Sequence, residues 1–224
     1  MTPPIPVEHH LRVARTARYF VLGELHGATD VWIALHGYAQ LAQPFARAMT
    51  PALGDGRAIV VPEALNRFYL DEPTKRHGPN SPVGASWMTV QDREHDIGDY
   101  VSYLSSLADA VKREAPAATL TVLGFSQGVA TACRFAALGT ANLSRLILWA
   151  GSLPTDLPTD RGDRLFKGAS VTYVAGRADP LITLKFAQKE VASLAERGVV
   201  ATLLEYDGGH SLNSELLRQL AQSR

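Results

Sequence analysis

The sequence has few means of cross-linking itself or of binding a charged polymer. It contains one cysteine, Cys133, so no intrachain disulfide can form, which is typical of a reducing compartment. Its 22 basic and 22 acidic residues leave no net charge. Nothing therefore favours a nucleic acid or an anionic membrane as a partner. Zero net charge leaves both a monomer and a homodimer open.

Long apolar segments are missing as well. No stretch approaches the ~20 consecutive apolar residues that a membrane-spanning helix needs. Residues 1–6 contain three prolines and lack the basic-then-apolar order of a secretory signal. We therefore expect a cytoplasmic protein with no membrane span.

The sequence instead alternates short apolar runs with longer segments of helical period. Residues 11–22 are predicted to form one long strand or a hairpin at a sheet edge, and further strands are predicted at residues 30–37, 58–62, 119–123, 146–149, 171–174 and 199–206. Helices are predicted at residues 97–111, 127–138, 181–197 and 212–220. This order predicts βαβ units in a single α/β domain over residues 1–224, with a mostly parallel central sheet and helices on both of its faces.

Residues 63–91 interrupt this alternation. They combine several prolines and glycines with aromatic residues such as Phe68 and Trp87. An irregular segment of this length inside a compact domain is often functional. We predict an irregular loop over the ends of the strands, near the active site.

The pentapeptide Gly124-Phe125-Ser126-Gln127-Gly128 is the main candidate for chemistry. A predicted strand precedes it and a predicted helix follows it, which is the setting of a nucleophile elbow. The two glycines let the strand and helix backbones approach closely, and the sharp turn exposes the serine hydroxyl. We predict that Ser126 is a nucleophile, the alternative being a plain helix N-cap.

A serine nucleophile needs a histidine base and an acid, in the chain order serine, acid, histidine. Of the seven histidines, only His210 follows Ser126. Asp179 follows the predicted strand 171–174 and is the expected acid, a role that helix capping would not preclude. Three competing aspartates lie in a polar loop: Asp156, Asp160 and Asp163.

The segment Leu35-His36-Gly37-Tyr38 follows an early strand. In a fold with a nucleophile elbow this loop supplies one oxyanion donor, so we assign the backbone N–H groups of Tyr38 and Gln127 to the oxyanion hole. We interpret His36 as a loop-stabilising side chain, because no second ligand stands at a spacing typical of metal sites. No metal is expected.

Four segments together resemble the phospholipase/carboxylesterase family, the small esterases that include acyl-protein thioesterases. They are Leu35-His36-Gly37, the pentapeptide around Ser126, Gly176-Arg177-Ala178-Asp179 and Gly208-Gly209-His210. The resemblance implies the α/β-hydrolase fold and a cofactor-free carboxylic-ester hydrolase whose triad is Ser126, Asp179 and His210. Two elements differ from the family pattern: Tyr38-Ala39-Gln40 replaces a glycine and an aspartate after His-Gly, and Ser86-Trp87-Met88-Thr89 replaces a Trp-Phe-Asp element.

Side chains near the carboxyl ends of the strands are candidates for the substrate pocket, because such sheets bind ligands there. They are Tyr38, Phe68, Tyr69, Trp87, Met88 and Leu181, with ordinary core packing as the alternative. Core packing is favoured for Trp149, and Cys133 is interpreted as a small buried filler.

These residues predict a serine carboxylesterase that hydrolyses small to medium acyl esters through an acyl-enzyme. An acyl thioesterase or a lysophospholipase would use the same residues and would differ in leaving group and chain length. More distant alternatives are a cofactor-free perhydrolase or haloperoxidase and a non-catalytic receptor on the same fold. The expected partner is a small-molecule ester.

Overall fold

The computed structural model describes residues 3, 5–72, 74, 76–160, 162 and 165–223. Part of the N-terminal stretch considered as a signal (Met1, Thr2 and Pro4) and the competing Asp163 lie outside the described residues. Within the described ranges, no helix has the length and hydropathy that crossing a bilayer requires.

In chain order the strands of the described residues are β1 (Tyr19–Leu22), β2 (Asp30–Leu35), β3 (Arg57–Pro62), β4 (Asn66–Tyr69), β5 (Val83–Ser86), β6 (Thr119–Phe125), β7 (Arg145–Trp149), β8 (Ser170–Gly176) and β9 (Ala201–Tyr206). Seven of them form one sheet in the order β1-β3-β2-β6-β7-β8-β9, and β4 and β5 form a separate ribbon. In the large sheet β1 runs antiparallel to β3, and the other neighbouring strands run parallel.

Helices cover both faces of the large sheet. They are α1 (Ala42–Met49), α2 (Arg93–Glu114), α3 (Gln127–Leu138), α4 (Leu184–Glu196) and α5 (Ser214–Gln222). The apolar side chains of α2, α3 and α4 share one core cluster, and those of α1 and α5 share another. Strand β2 serves both, because Val31 and Ile33 face the first cluster and Trp32 faces the second. The predicted fold class, an α/β-hydrolase fold with a mostly parallel sheet, is confirmed.

Several boundaries differ from the prediction. Of the predicted strand 11–22, only Tyr19–Leu22 is a strand, because pairing with β3 begins at Tyr19 and the preceding residues are mostly exposed. The predicted helix 181–197 begins at Leu184, because Thr183 is its N-cap: the Thr183 hydroxyl accepts the N–H of Phe186 at 3.3 Å. Gly198, with a φ of +77°, ends this helix as expected.

Two features were not predicted. Helix α1 has eight residues, contains Pro44 and has no side-chain hydrogen bond at its N-cap, so its sequence carries few helix signals. Residues 63–91 are not irregular throughout, because β4 and β5 pair antiparallel within them. A bridge from Gln40 to Ala85 joins this ribbon to the loop that precedes α1.

Candidate active site

Ser126 lies in a strained turn between β6 and α3, with a φ of +54° and a ψ of −117°. Its N–H donates to the Trp149 carbonyl at 2.9 Å, and its own carbonyl accepts the Val129 N–H at 3.0 Å. A positive φ is costly for a residue with a side chain and persists only where neighbouring bonds hold it. The turn is therefore the sharp elbow that the pentapeptide predicts.

Glycines permit the close backbone contacts of this elbow. A Cβ on Gly124 would lie 2.2 Å from the Gly128 carbonyl oxygen, and one on Gly128 would lie 2.3 Å from that of Leu35. The sequence analysis missed Gly151, where a Cβ would lie 2.1 Å from the Ser126 carbonyl oxygen. Its signal is a glycine placed two residues after β7, a strand that neighbours β6, at the same edge of the sheet.

The hydroxyl of Ser126 begins a continuous line of hydrogen bonds. Its Oγ lies 2.9 Å from His210 Nε2, and His210 Nδ1 lies 2.8 Å from Asp179 Oδ2. The other oxygen of Asp179 accepts the N–H groups of Leu181 at 2.8 Å and Ile182 at 2.9 Å. The Asp179 side chain is 0% exposed and that of His210 is 19% exposed. The carboxylate is thus buried with its acceptors occupied, and it orients the imidazole ring.

The loop that carries His210 is held by neighbouring strands. The Ala178 N–H donates to the Gly208 carbonyl at 3.0 Å. The Tyr206 hydroxyl donates to the Gly209 carbonyl at 2.7 Å, and the indole N–H of Trp149 donates to the Ser211 carbonyl at 3.2 Å. Trp149 is buried, as favoured, whereas the supporting role of Tyr206 was not predicted.

Both ring nitrogens of His36 are engaged in the loop after β2. Nδ1–H donates to the Gly37 carbonyl at 2.8 Å, and Nε2 accepts the Ala64 N–H at 3.1 Å. The imidazole is therefore neutral, and it stabilises the loop as the sequence analysis proposed. Burial lowers the pKa of His36. The hydrogen bond to Gly37 and the charge of Glu63 raise it, but by less, so the net shift is downward.

This neutral histidine is expected to make stability depend on pH. Below ~6.5 the unfolded chain binds a proton at His36 that the folded chain does not bind. The free energy of unfolding therefore falls as the pH drops through that value, and the fall ends below the lowered folded pKa. Between about pH 7.5 and about pH 5.5, wild type should lose more stability in urea denaturation than His36→Gln. Equal losses would contradict this assignment.

The predicted oxyanion donors lie beside Ser126. A Cβ on Gly37, which precedes Tyr38, would be 3.1 Å from the Ser126 Cβ. Within the described part of the chain, the backbone N–H groups of Tyr38 and Gln127 have no protein acceptor. Such unpaired N–H groups can donate to developing negative charge, and Gln127 is the first residue of α3, where backbone N–H groups have no partner within the helix.

The Gln127 side chain ties the start of α3 to the segment after β5. Its Nε2 donates to the Ser86 hydroxyl and to the Met88 carbonyl, both at 3.0 Å. Its Oε1 accepts the Trp87 N–H at 3.1 Å. The indole of Trp87 in turn donates to the His36 carbonyl at 2.8 Å. These bonds hold both predicted oxyanion segments in one place.

An open groove of about 530 Å³ lies beside His210. We call it the reaction groove. Its walls are mainly apolar, with Leu41, Pro44, Phe45, Val83, Phe125 and Leu212 among the lining residues. Helix α1 and the residue before it supply much of this surface, so the sequence analysis, which missed α1, also missed these residues.

The six side chains predicted as pocket walls lie outside the reaction groove. Tyr38 is exposed, and its ring contacts that of Phe68 with 5.4 Å between centroids. Trp87 is buried in the core, Met88 is partly buried against it, and Leu181 is exposed. Phe68 and Tyr69 line a second, neighbouring groove. Phe68 and Tyr69 belong to the β4–β5 ribbon, and Trp87 and Met88 pack in the core. The prediction of an irregular loop included neither the ribbon nor this packing.

A free thiol and a cluster of potential metal ligands are also present. Cys133 is buried, as expected, and burial raises the pKa of its thiol. Among the described residues, one group could converge on a metal ion: His10, Asp92 and His95, all exposed. Asp92 Oδ1 lies 3.2 Å from His10 Nε2 and 2.6 Å from His95 Nδ1. The sequence analysis did not predict this cluster, which shares no residue with the Ser126 site.

Comparisons with known proteins identify a family for this chain. A family model described as Serine hydrolase (FSH1) matches residues 31–215. A comparison with curated proteins finds no significant match.

Similar solved structures are esterases and a thioesterase. Acyl-protein thioesterase 2 from Zea mays is 17% identical, with a TM-score of 0.68 over 92% of this chain and 97% of that one. A phospholipase/carboxylesterase from Dyadobacter fermentans is 19% identical, with a TM-score of 0.66 over 95% and 98%. A carboxylesterase from Mesorhizobium loti is 16% identical, with a TM-score of 0.68 over 93% and 95%. At these identities the likeness shows the fold, and the predicted resemblance to this group is confirmed.

Proposed function

Because the chain belongs to the serine hydrolase (FSH1) family, we propose that Ser126 is its nucleophile, His210 the base and Asp179 the acid that orients the base. The observation that carries the proposal is the unbroken hydrogen-bonded line from Ser126 Oγ through His210 to Asp179, at 2.9 and 2.8 Å. The proposed reaction is hydrolysis of a small to medium acyl ester through an acyl-enzyme.

In the acylation half, Ser126 Oγ attacks the ester carbonyl carbon while His210 Nε2 takes the hydroxyl proton. Asp179 stabilises the imidazolium that forms. The N–H groups of Tyr38 and Gln127 bind the oxyanion, each contributing about 2.7–4 kcal/mol to the transition state. The tetrahedral intermediate then collapses, and His210 gives its proton to the departing alcohol.

Deacylation repeats these steps with water as the nucleophile. His210 takes a proton from water as its oxygen attacks the acyl carbon, and the same two N–H groups bind the second oxyanion. Collapse releases the carboxylic acid, and His210 returns the proton to Ser126. The apolar walls of the reaction groove favour a hydrocarbon chain on the substrate.

Thioester hydrolysis is the second candidate, because acyl-protein thioesterase 2 from Zea mays shares the fold. Its steps would be the same, with a thiol as the leaving group. The two candidates therefore differ in the contacts of the leaving group and not in the triad.

A substrate panel separates them. We expect purified enzyme to hydrolyse p-nitrophenyl esters of short and medium acids with a higher kcat/KM than thioesters of the same acids. The apolar groove should also raise kcat/KM as the acyl chain lengthens, by up to ~4-fold for each added methylene that becomes buried. Matched acyl chains serve as the control. A consistent preference for the thioesters would assign the thioesterase activity instead.

A further inference from the structure

The reaction groove continues into a second groove. This distal groove has a volume of about 580 Å³ and is lined by Arg18, Leu41, Arg67, Phe68, Tyr69, Ser81 and Val83. Leu41 and Val83 also line the reaction groove. A single surface path therefore leads from His210, over Leu41 and Val83, to the two arginines.

The charged side chains at the distal end of this path carry a net positive charge. The buried Glu63 carboxylate accepts Arg18 Nε at 2.7 Å and Arg18 Nη2 at 2.8 Å, and it also accepts Arg67 Nη1 at 3.1 Å. Burial raises the pKa of Glu63, but the hydrogen bonds from Arg18, Arg67 and the Ala42 N–H, together with the charge of Arg18, lower it by more, so the carboxylate is ionised. Two guanidinium groups thus share one negative charge, and the cluster keeps a net charge of +1.

The cluster is anchored next to a residue that both grooves share. The Ala42 N–H donates to Glu63 Oε2 at 3.3 Å, and Ala42 directly follows Leu41. The arginine side chains are nearly half exposed, Arg18 at 49% and Arg67 at 44%, whereas Glu63 is 1% exposed. The positive groups therefore face the groove, while the negative group lies beneath them.

The two arginines are bound to different extents. Arg18 uses two of its nitrogens on Glu63. Among the described residues, the side chain of Arg67 donates only from Nη1. Its remaining N–H groups can bind a ligand, and a guanidinium presents them in a planar fork that matches a carboxylate.

We propose that the distal groove binds a carboxylate at the far end of the substrate, with the apolar chain between that carboxylate and the ester lying in the reaction groove. The inference rests on the proposed function of Ser126, because it names the substrate class of that site: esters with a second, free carboxylate. A net charge of +1 matches a carboxylate better than a phosphate group, which carries about −1.5 to −2.

The test compares p-nitrophenyl monoesters of linear dicarboxylic acids with the same compounds capped as methyl esters. We expect the free acids of one chain length to have a kcat/KM about fivefold higher, mainly through KM, as for a half-exposed ion pair. The preference should weaken with added salt. A second set with the free carboxylate on the alcohol side identifies which part of the ester occupies the groove.

Arg67→Gln should remove the preference by lowering the kcat/KM of the free acids about fivefold, to that of the capped esters, because it removes the guanidinium whose N–H groups remain available while the Arg18–Glu63 pair stays in place. The matched control is Arg113→Gln, an exposed arginine of α2 that lines neither groove; it should keep the preference. Equal kcat/KM for free and capped compounds in both sets, or a preference that survives in Arg67→Gln, would overturn the distal site alone. Failure to hydrolyse any ester would instead overturn the proposed function.

Discussion

Replacement of Ser126 by alanine is expected to lower kcat for p-nitrophenyl esters by about 10⁶-fold, as loss of the nucleophile does in other serine hydrolases with a triad. In the proposed mechanism the hydroxyl oxygen becomes acylated, and it lies 2.9 Å from His210 Nε2, so no neighbouring group can take its place. Stability should change little, because the backbone bonds of Ser126 to Trp149 and Val129 hold the turn without the hydroxyl.

Two measurements define this result. A fluorophosphonate probe should label wild type once, on the peptide that contains Ser126, and should not label Ser126→Ala. Ser102→Ala, at an exposed position of α2, is the control and should retain both labelling and turnover. Wild-type turnover in Ser126→Ala, or labelling of a different serine, would refute the assignment.

Replacement of Gly128 by alanine is expected to have the second largest effect. The added Cβ would lie 2.3 Å from the Leu35 carbonyl oxygen and 2.9 Å from that of His36, so α3 and the loop after β2 must separate. These two segments carry the proposed oxyanion donors at Gln127 and Tyr38. We expect a loss of about 3 kcal/mol in the free energy of unfolding from overpacking, and a fall in kcat of about 10²-fold from the displaced donor.

Gly98→Ala is the matched control, because a Cβ there meets no atom within 4 Å. Gly98 lies inside α2, where alanine should raise the free energy of unfolding by about 0.5–1 kcal/mol. Its kcat should equal that of wild type. Urea denaturation and ester hydrolysis measure both variants. Wild-type stability and kcat in Gly128→Ala would show that the close approach of α3 is unnecessary.

Much of the reactive centre was readable from local pattern and chain order. The glycines around Ser126, the strand before it and the helix after it predicted the elbow, and the structure has it. The expected order of serine, acid and histidine selected Asp179 and His210, which lie within hydrogen-bonding distance in the structure. These features were accessible because each depends on backbone conformation within a few residues or on the sequence of elements along the chain.

The walls of the reaction groove were not readable in this way. The predicted pocket walls were mainly aromatic residues near strand ends, and none of them lines the reaction groove, although Phe68 and Tyr69 line the distal groove. The reaction groove is lined largely by α1, the residues next to it and Val83 of β5. Helix α1 has weak local signals, and the β4–β5 ribbon forms through pairing between residues more than a dozen positions apart. Which side of such an element faces a groove depends on what packs behind it, and no local pattern contains that information.

The features of this protein thus fall into two groups: those that local pattern and chain order predict, and those that only long-range packing determines. Local pattern and chain order were sufficient for the α/β architecture, the elbow at Ser126 and the choice of Asp179 and His210 as its proposed partners. Long-range packing was needed for the role of Gly151, the supports at Tyr206 and Gln127, and the two arginines gathered around Glu63. The reason is that backbone strain and strand–helix alternation are encoded locally, whereas a groove and its charge arise where distant segments meet.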